Sequence, residues 1–142
     1  MDKEIGLELR RLNNLTKRYL DNHTNKKIID SITGTNGWII GYLADRDGQD
    51  VFQRDLERQF GITRSTASKV INLMVQKGLV QRESVPQDAR LKKLVLTPKA
   101  REVSAMMVED RNAIESKLTQ GFSAEEIDVL YSYLLRMKQN MS

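Results

Sequence analysis

Two short strings hold the side chains best suited to chemistry in this chain. The first is Arg64-Ser65-Thr66-Ala67-Ser68-Lys69, short hydroxyls set between long cations. Hydroxyls hydrogen-bond to base edges or phosphates, and Arg and Lys neutralise phosphate or reach guanine. The second is Asp88-Ala89-Arg90-Leu91-Lys92-Lys93, with cations at 90, 92 and 93. Both lie within residues 51–101, which hold eleven Lys/Arg against four Asp/Glu, a local net charge of +7. The rest of the 142 residues hold twelve basic and fifteen acidic side chains, a net −3, so the overall +4 hides a basic middle between mildly acidic ends. That distribution is the footprint expected of a polyanion-binding lobe. Charge of this size taken alone also fits a solvated surface.

Catalytic and metal-binding constellations are poorly supplied. With no cysteine, disulfides, thiolate nucleophiles, cysteine redox switches and Cys-ligated zinc are excluded. His23 is the single histidine and sits in a polar stretch, so it reads as a surface residue, although Asp21 and His23 together could hold a metal weakly. Gly34-Thr35-Asn36-Gly37 lacks the Lys and the preceding strand of a phosphate-cradling loop. Asp45-Arg46-Asp47-Gly48-Gln49-Asp50 has part of the spacing of a calcium loop, but its Gly is misplaced and Leu56 stands where the closing Glu belongs. A plain turn is expected there. We therefore expect a protein that is not an enzyme, with no cofactor and no metal site.

Composition points to one ordinary soluble globule, at 39% hydrophobic and 30% charged residues. The best apolar run, Trp38 to Ala44, is broken by Gly41 and is far too short to cross a bilayer. The start, with Asp2, Lys3 and Glu4, shows no signal peptide, so the three glycosylation-like triplets at Asn14, Asn22 and Asn140 have no secretory context. No membrane partner and a cytoplasmic location are expected.

The elements that must position the two strings follow from periodicity. Ile5, Leu9, Leu12, Leu15 and Tyr19 recur at helical steps, fading near Asn22 to Asn25. Residues 33–37 read as a loop, Trp38 to Asp45 as a short helix, and 45–50 as a turn. A helix over 53–60 faces Leu56 and Phe60 inward, and Gly61-Ile62-Thr63 interrupts it. Thr63 caps a second helix running to about Lys77, with Gly78 as a left-handed stop. Strands at 79–83 and 92–96 flank a hairpin tip at 85–90. Thr97-Pro98 opens a helix to about Thr119, and Ser123 to Glu126 forms the capping box of a last one carrying Ile127, Leu130, Leu134, Met137 and Met141.

Two helices joined by a Gly-containing turn over 53–77 fit a helix-turn-helix, in which the start of the second helix meets base edges in the major groove. A generic helical hairpin would show the same local pattern. The ribbon that follows tips the balance, because a basic two-stranded hairpin after a recognition helix is a wing. An Arg on such a wing can enter the minor groove, where the negative potential is enhanced.

The string Asp88-Ala89-Arg90-Leu91-Lys92-Lys93-Leu94-Val95-Leu96-Thr97 resembles the wing of the multiple antibiotic resistance regulators, the MarR family. Gly61-Ile62-Thr63-Arg64-Ser65-Thr66 before it and Lys77-Gly78-Leu79-Val80 between them are similar as well, and length and element order match over essentially the whole chain. The resemblance implies a mainly α (α+β) winged helix-turn-helix whose terminal helices interlock in a homodimer. It implies a repressor of nearby genes that a small aromatic or anionic effector releases from double-stranded DNA. It makes Arg90 the minor-groove residue and Asp88 its structural neighbour, with Lys92 on the same wing. It turns Arg64, Ser65, Thr66, Ser68 and Lys69 toward the major groove. Glu57 departs from the family's pattern, since helix-turn-helix proteins often carry Ala there for close helix crossing, and the register of the first helix is open on that account.

One domain spans 1–142, with a winged helix-turn-helix lobe at 37–97 and a helical dimerisation lobe from 1–24 and 98–142. The 3-4-3-4 spacing of Ile127, Leu130, Leu134, Met137 and Met141 fits an intersubunit seam, or the core helix of a monomer. We favour the seam, because a short chain has little core to receive apolar helices at both ends; two recognition helices one DNA turn apart then require a pseudo-palindromic operator. Trp38, Tyr42, Tyr19 and His23 are candidates for an aromatic effector cavity near the lobe junction, or for plain core and surface residues, the reading we favour. The alternative to DNA binding is a winged helix used for protein contacts, which the basic wing and hydroxyl-rich helix start argue against.

Overall fold

The computed structural model describes residues 2–142, which form seven helices and one two-stranded antiparallel sheet. In chain order these are α1 (Ile5–His23), α2 (Lys26–Thr33), α3 (Gly37–Asp45), α4 (Gln53–Phe60), α5 (Arg64–Gln76), β1 (Val80–Val85), β2 (Asp88–Leu96), α6 (Pro98–Leu118) and α7 (Ala124–Met141). The winged helix-turn-helix expected from sequence is α4, α5 and the β1–β2 ribbon, and α3 packs against α6 and β2 behind it.

The core lies in the middle of the chain. Ile39 and Ile40 of α3, Leu56 of α4, Ile71 and Met74 of α5, Leu79 and Val80 at the start of the ribbon, and Val103 of α6 are all essentially sealed from solvent. Each side chain buried to this degree contributes about 1.5–3 kcal/mol, which holds α4 and α5 at a fixed crossing. Gly61 closes α4 at φ 60, a left-handed conformation costly for residues with a Cβ, so the chain can turn sharply into α5. The Thr63 hydroxyl accepts the Thr66 N–H at 3.2 Å and caps α5. Gly78 ends the turn after α5 at φ 74.

Thr97 ties the two ends of the wing together. Its hydroxyl donates to the Gly78 carbonyl at 2.6 Å and accepts the Ala100 N–H at 3.2 Å, while its own N–H donates to the Leu79 carbonyl at 3.2 Å. One residue thus closes the ribbon at its base and caps α6, and Pro98 takes the first helical position. The α7 capping box forms as expected, with Ser123 N–H donating to Glu126 at 2.8 Å and Glu126 N–H to Ser123 at 3.1 Å.

Three details differ from the sequence reading. Residues 26–33 form a helix, α2, where no element was expected; Ile29 is its buried anchor and Lys26 pairs with Asp30 one turn on at 2.7 Å. The strands run closer to the hairpin end than 83 and 92, leaving Pro86 and Gln87 as the tip. Phe60 is not interior, being 39% exposed, and lies on the rings of Trp38 and Tyr42 at centroid distances of 4.4 and 5.4 Å. Its place at the end of α4 accounts for this, because the core beneath that helix is already closed by Leu56.

Candidate nucleic-acid interface

The helix-turn-helix presents one outward line of α5. Ala67, Ile71 and Met74 face the core, so steps of three and four place Ser65, Lys69, Asn72 and Gln76 along the opposite side. Arg64, Ser65, Thr66 and Lys69 are exposed and Ser68 is half-buried. The Thr63, Ser65 and Thr66 hydroxyls form a small cluster, with Thr63 donating to Thr66 at 3.0 Å and lying 3.2 Å from Ser65. The positive end of the α5 dipole opens at this cluster.

The wing is irregular where its chemistry lies. Ser84 pairs with Lys92 and Val85 with Asp88, which leaves Ala89, Arg90 and Leu91 without partners on β1. This bulge, and not the tip, carries Arg90, whose side chain is 94% exposed. The Asp88 carboxylate accepts the Arg90 N–H at 2.9 Å and lies 3.6 Å from Nε of the Arg90 guanidinium. Asp88 therefore shapes the bulge through the backbone and leaves most of the guanidinium free. Lys92 donates to the Ser84 hydroxyl across the ribbon at 2.7 Å.

Between α4, the start of α5 and the wing lies a cleft of about 420 Å³, lined by Gln53, Arg54, Glu57, Arg64, Arg82, Arg90 and Lys92 together with Phe52, Leu91 and Leu94. It brings Arg64 of the first string beside Arg90 and Lys92 of the second, leaves Ser65, Thr66, Ser68 and Lys69 outside, and adds Arg54 and Arg82, which do not stand out in the sequence. Arg82 Nη2 donates to the Asn72 side-chain carbonyl at 2.5 Å, bridging the wing to the recognition helix. Gln53 donates to the Arg64 carbonyl at 3.2 Å and joins the starts of α4 and α5. Glu57 is half-buried on the α4 wall, which answers the open register: it borders this cleft and does not obstruct the α4–α5 crossing. Asn72 was legible in principle, being one turn beyond Ser68 on the same helix. Its partner on β1 was not.

Ion pairing is sparse on this face. Among the described residues, Arg54, Arg64, Lys69, Arg82 and Lys92 have no carboxylate within 4.0 Å, and Arg90 has only Asp88. The other ion pairs lie away from the cleft: Arg11 with Glu8, Lys26 with Asp21 and Asp30, Arg101 with Asp47, and Lys93 with Asp50 and Glu83. The Asp30 hydrogen bond, outweighing the effect of burial, raises the Lys26 pKa above its ordinary value.

A second cavity, of about 480 Å³, opens between α1, α2, α3 and α6. Leu20, Ile29, Trp38, Met107 and Ile114 form its apolar wall, Lys26 and Arg111 stand at it as cations, and Asp30 and Asp110 as acids, Asp30 paired with Lys26 at 2.7 Å. Of the four effector candidates, Trp38 lines this cavity, and Tyr42, Tyr19 and His23 do not. Tyr42 lies apart from it, beside Phe60 and beneath the Arg46 guanidinium at 3.7 Å. His23 packs on Tyr19 at 4.8 Å, and no group of three or more acidic or histidine side chains suited to a metal occurs among the described residues.

The sequence model of the MarR family matches residues 30–91, the helix-turn-helix and most of the wing. The transcription regulator MarR from Oenococcus oeni PSU-1 is 31% identical over 96% of this chain and 99% of that one, with a TM-score of 0.60. The chain belongs to the MarR family. It is a transcription regulator of that family and not an enzyme. The same fold is seen in a mutant MepR from a multidrug-resistant S. aureus clinical isolate, at TM-score 0.75 and 22% identity, with all of both chains covered. The S. aureus MepR–DNA complex matches at TM-score 0.72 and 21% identity, covering 98% of this chain and 99% of that one. No helix among the described residues is long and apolar enough to cross a membrane.

Proposed function

We propose that this MarR-family regulator is a cytoplasmic repressor that binds double-stranded DNA as a homodimer at a pseudo-palindromic operator. The observation that carries the DNA reading is the convergence of Arg54, Arg64, Arg82 and Lys92 on one cleft beside the start of α5, none with a carboxylate partner. Unpaired cations around a helix start attract a polyanion, whose own counterions are released when it binds. Arg64, Ser65, Thr66, Ser68 and Lys69 read the major groove. Arg90, on its Asp88-shaped bulge with Lys92 beside it, enters the adjacent minor groove. MepR, whose fold this chain shares, is seen bound to DNA, which supports the same reading.

The homodimer reading rests on surface. The chain exposes 10474 Å², against about 7500 Å² for a folded monomer of its mass by the usual scaling. An excess of about 3000 Å² per subunit, roughly 6000 Å² over two, is the scale of a large obligate interface. No residue of α1 or α7 is buried, and Leu130 and Leu134 are 44% and 36% exposed. Ile127 and Met137, half-buried, continue that face of α7. We assign residues 1–24 and 98–142 to this dimerisation lobe and 37–97 to the DNA lobe. The largely apolar cavity at Trp38 is the place for a small aromatic or anionic effector that releases the DNA, with Arg111 as the cation for an anionic one, and Trp38, the sole tryptophan, reports on it.

Fluorescence anisotropy with duplex from upstream of the protein's own gene, against a scrambled duplex across a salt series, tests the function. Tight binding to the native duplex that weakens steeply with salt is expected. Absence of binding to either duplex at low salt rejects DNA recognition and leaves a protein-contact module.

A further inference from the structure

We propose that the cleft between α4, the start of α5 and the wing is a seat for one phosphate of the DNA backbone, with Arg82 gripping it and Asn72 holding Arg82 in place. The inference rests on the DNA-binding reading and adds to it a site, two residues and a defined ligand group. In that reading the start of α5 lies in the major groove and Arg90 in the neighbouring minor groove. Major and minor grooves are separated by one sugar–phosphate strand, so that strand crosses whatever lies between the two protein elements. What lies between them is this cleft.

Its charge fits the strand. Arg54, Arg64, Arg82 and Lys92 line it without a carboxylate partner, and Glu57 is the one acid among its lining residues. Cations gathered around one space repel one another, and an anion seated among them relieves that repulsion. The volume of about 420 Å³ is ample for a phosphodiester group with its sugar edge.

Two of these cations, Arg82 and Lys92, are also held before any ligand arrives. Arg82 is bonded to Asn72 at 2.5 Å and Lys92 to Ser84 at 2.7 Å, while Gln53, donating to the Arg64 carbonyl at 3.2 Å, fixes only the backbone there. A free Arg or Lys side chain has many rotamers open to it, and part of that freedom is lost when it grips a ligand. Here some of that ordering is already done. Asn72 uses one acceptor on one guanidinium nitrogen, so the other donors of Arg82 remain for phosphate oxygens in fork geometry. Because a backbone phosphate carries no base identity, the seat fixes register between the two groove contacts and adds affinity to any sequence.

The test is anisotropy on the full-length protein with the upstream duplex across a salt series, followed by duplexes carrying a single uncharged methylphosphonate at successive positions. Arg82→Gln is expected to lower the salt slope by about 0.9 for each lost phosphate, hence near two for a dimer, with the ratio of native to scrambled affinity held within about two-fold. One methylphosphonate position per half-site is expected to weaken the wild type and to have no further effect on Arg82→Gln. Asn72→Ala keeps the charge, so its slope is expected to stay at the wild-type value while affinity drops several-fold. Circular dichroism melting confirms that each variant is folded. A folded Arg82→Gln with the wild-type slope and the full set of methylphosphonate penalties overturns the seat while leaving DNA binding intact, and an Asn72→Ala of wild-type affinity overturns the positioning role. A wild type that binds no duplex overturns the parent reading and the seat together.

Discussion

The wing and α7 are both exposed, yet they are incomplete in different ways. Around the wing and the start of α5 the apolar side chains are satisfied: Ala67, Ile71, Met74, Leu94 and Leu96 are buried, and what lacks a partner is charge. Along α7 what lacks a partner is apolar surface, with Val129, Leu130, Tyr131, Tyr133, Leu134 and Leu135 all exposed. Apolar residues on every side of a helix are a liability in water and an asset under a second helix layer. The missing partners therefore differ in kind. On the proposed reading, an anion completes one end of the molecule and an apolar surface, such as a second copy, completes the other.

The sharpest way to break that contrast is at α7. Leu130→Lys with Leu134→Lys is expected to dissociate the dimer and reduce operator affinity by about 10²–10⁴, because each lobe then binds without its tethered twin. Sedimentation velocity reads the first effect, and a variant that still runs as a dimer removes α7 from the seam. At the other end, Arg90→Ala is expected to weaken DNA binding by about 1–3 kcal/mol while leaving Tm unchanged, since the side chain is 94% exposed. Anisotropy and melting together decide it, and unchanged affinity in the folded variant rejects the wing assignment.

Between the two ends, Thr97→Ala is expected to destabilise the protein by about 1–2 kcal/mol in urea. It removes the α6 cap and leaves the Gly78 carbonyl unpaired at the base of the wing. Thr97→Ser keeps both bonds and is expected to restore most of the loss; failure to do so assigns the effect to the lost methyl group. The smallest change is expected at Lys26, whose partly exposed pair with Asp30 is of the kind worth about 0.3–0.5 kcal/mol. Its pKa is raised on folding, chiefly by the Asp30 hydrogen bond, so this contribution is complete below the ordinary 10.5 and is lost as pH rises through the higher folded value. Lys26→Met should therefore differ from wild type by the same small amount at about pH 6 and about pH 9, both below that window. A difference that grows between them contradicts the assignment.

Much of the fold was legible because local signals agreed. Thr63, Gly78, Thr97-Pro98 and Ser123 to Glu126 are caps and stops whose chemistry does not depend on distant residues, and each marks an element boundary in the structure. The missed α2 has a local reason too. Its eight residues follow a polar cluster, and Ile28, Ile29 and Ile32 are too few to establish a period beside the loop at Thr33 to Gly37. The cleft was legible in part. Arg64, Arg90 and Lys92 lie in strings whose residue types declare them. Arg54 and Arg82 are single cations whose meaning comes from an α4 wall and an Asn72 partner ten residues away. Pairing state is a tertiary property, and so is the difference between Trp38 and Tyr42, one turn apart on α3 and both against Phe60, of which Trp38 alone also lines the second cavity.

Hydroxyl-radical footprinting of the wild-type protein on the DNA upstream of its gene examines both ends of the molecule at once. Two protected patches related by a pseudo-dyad are expected, with centres about one helical turn apart, roughly 10 base pairs. Each should include minor-groove protection where Arg90 enters. A single patch, or no protection at concentrations that saturate anisotropy, contradicts a dimer that reads DNA through α5 and the wing.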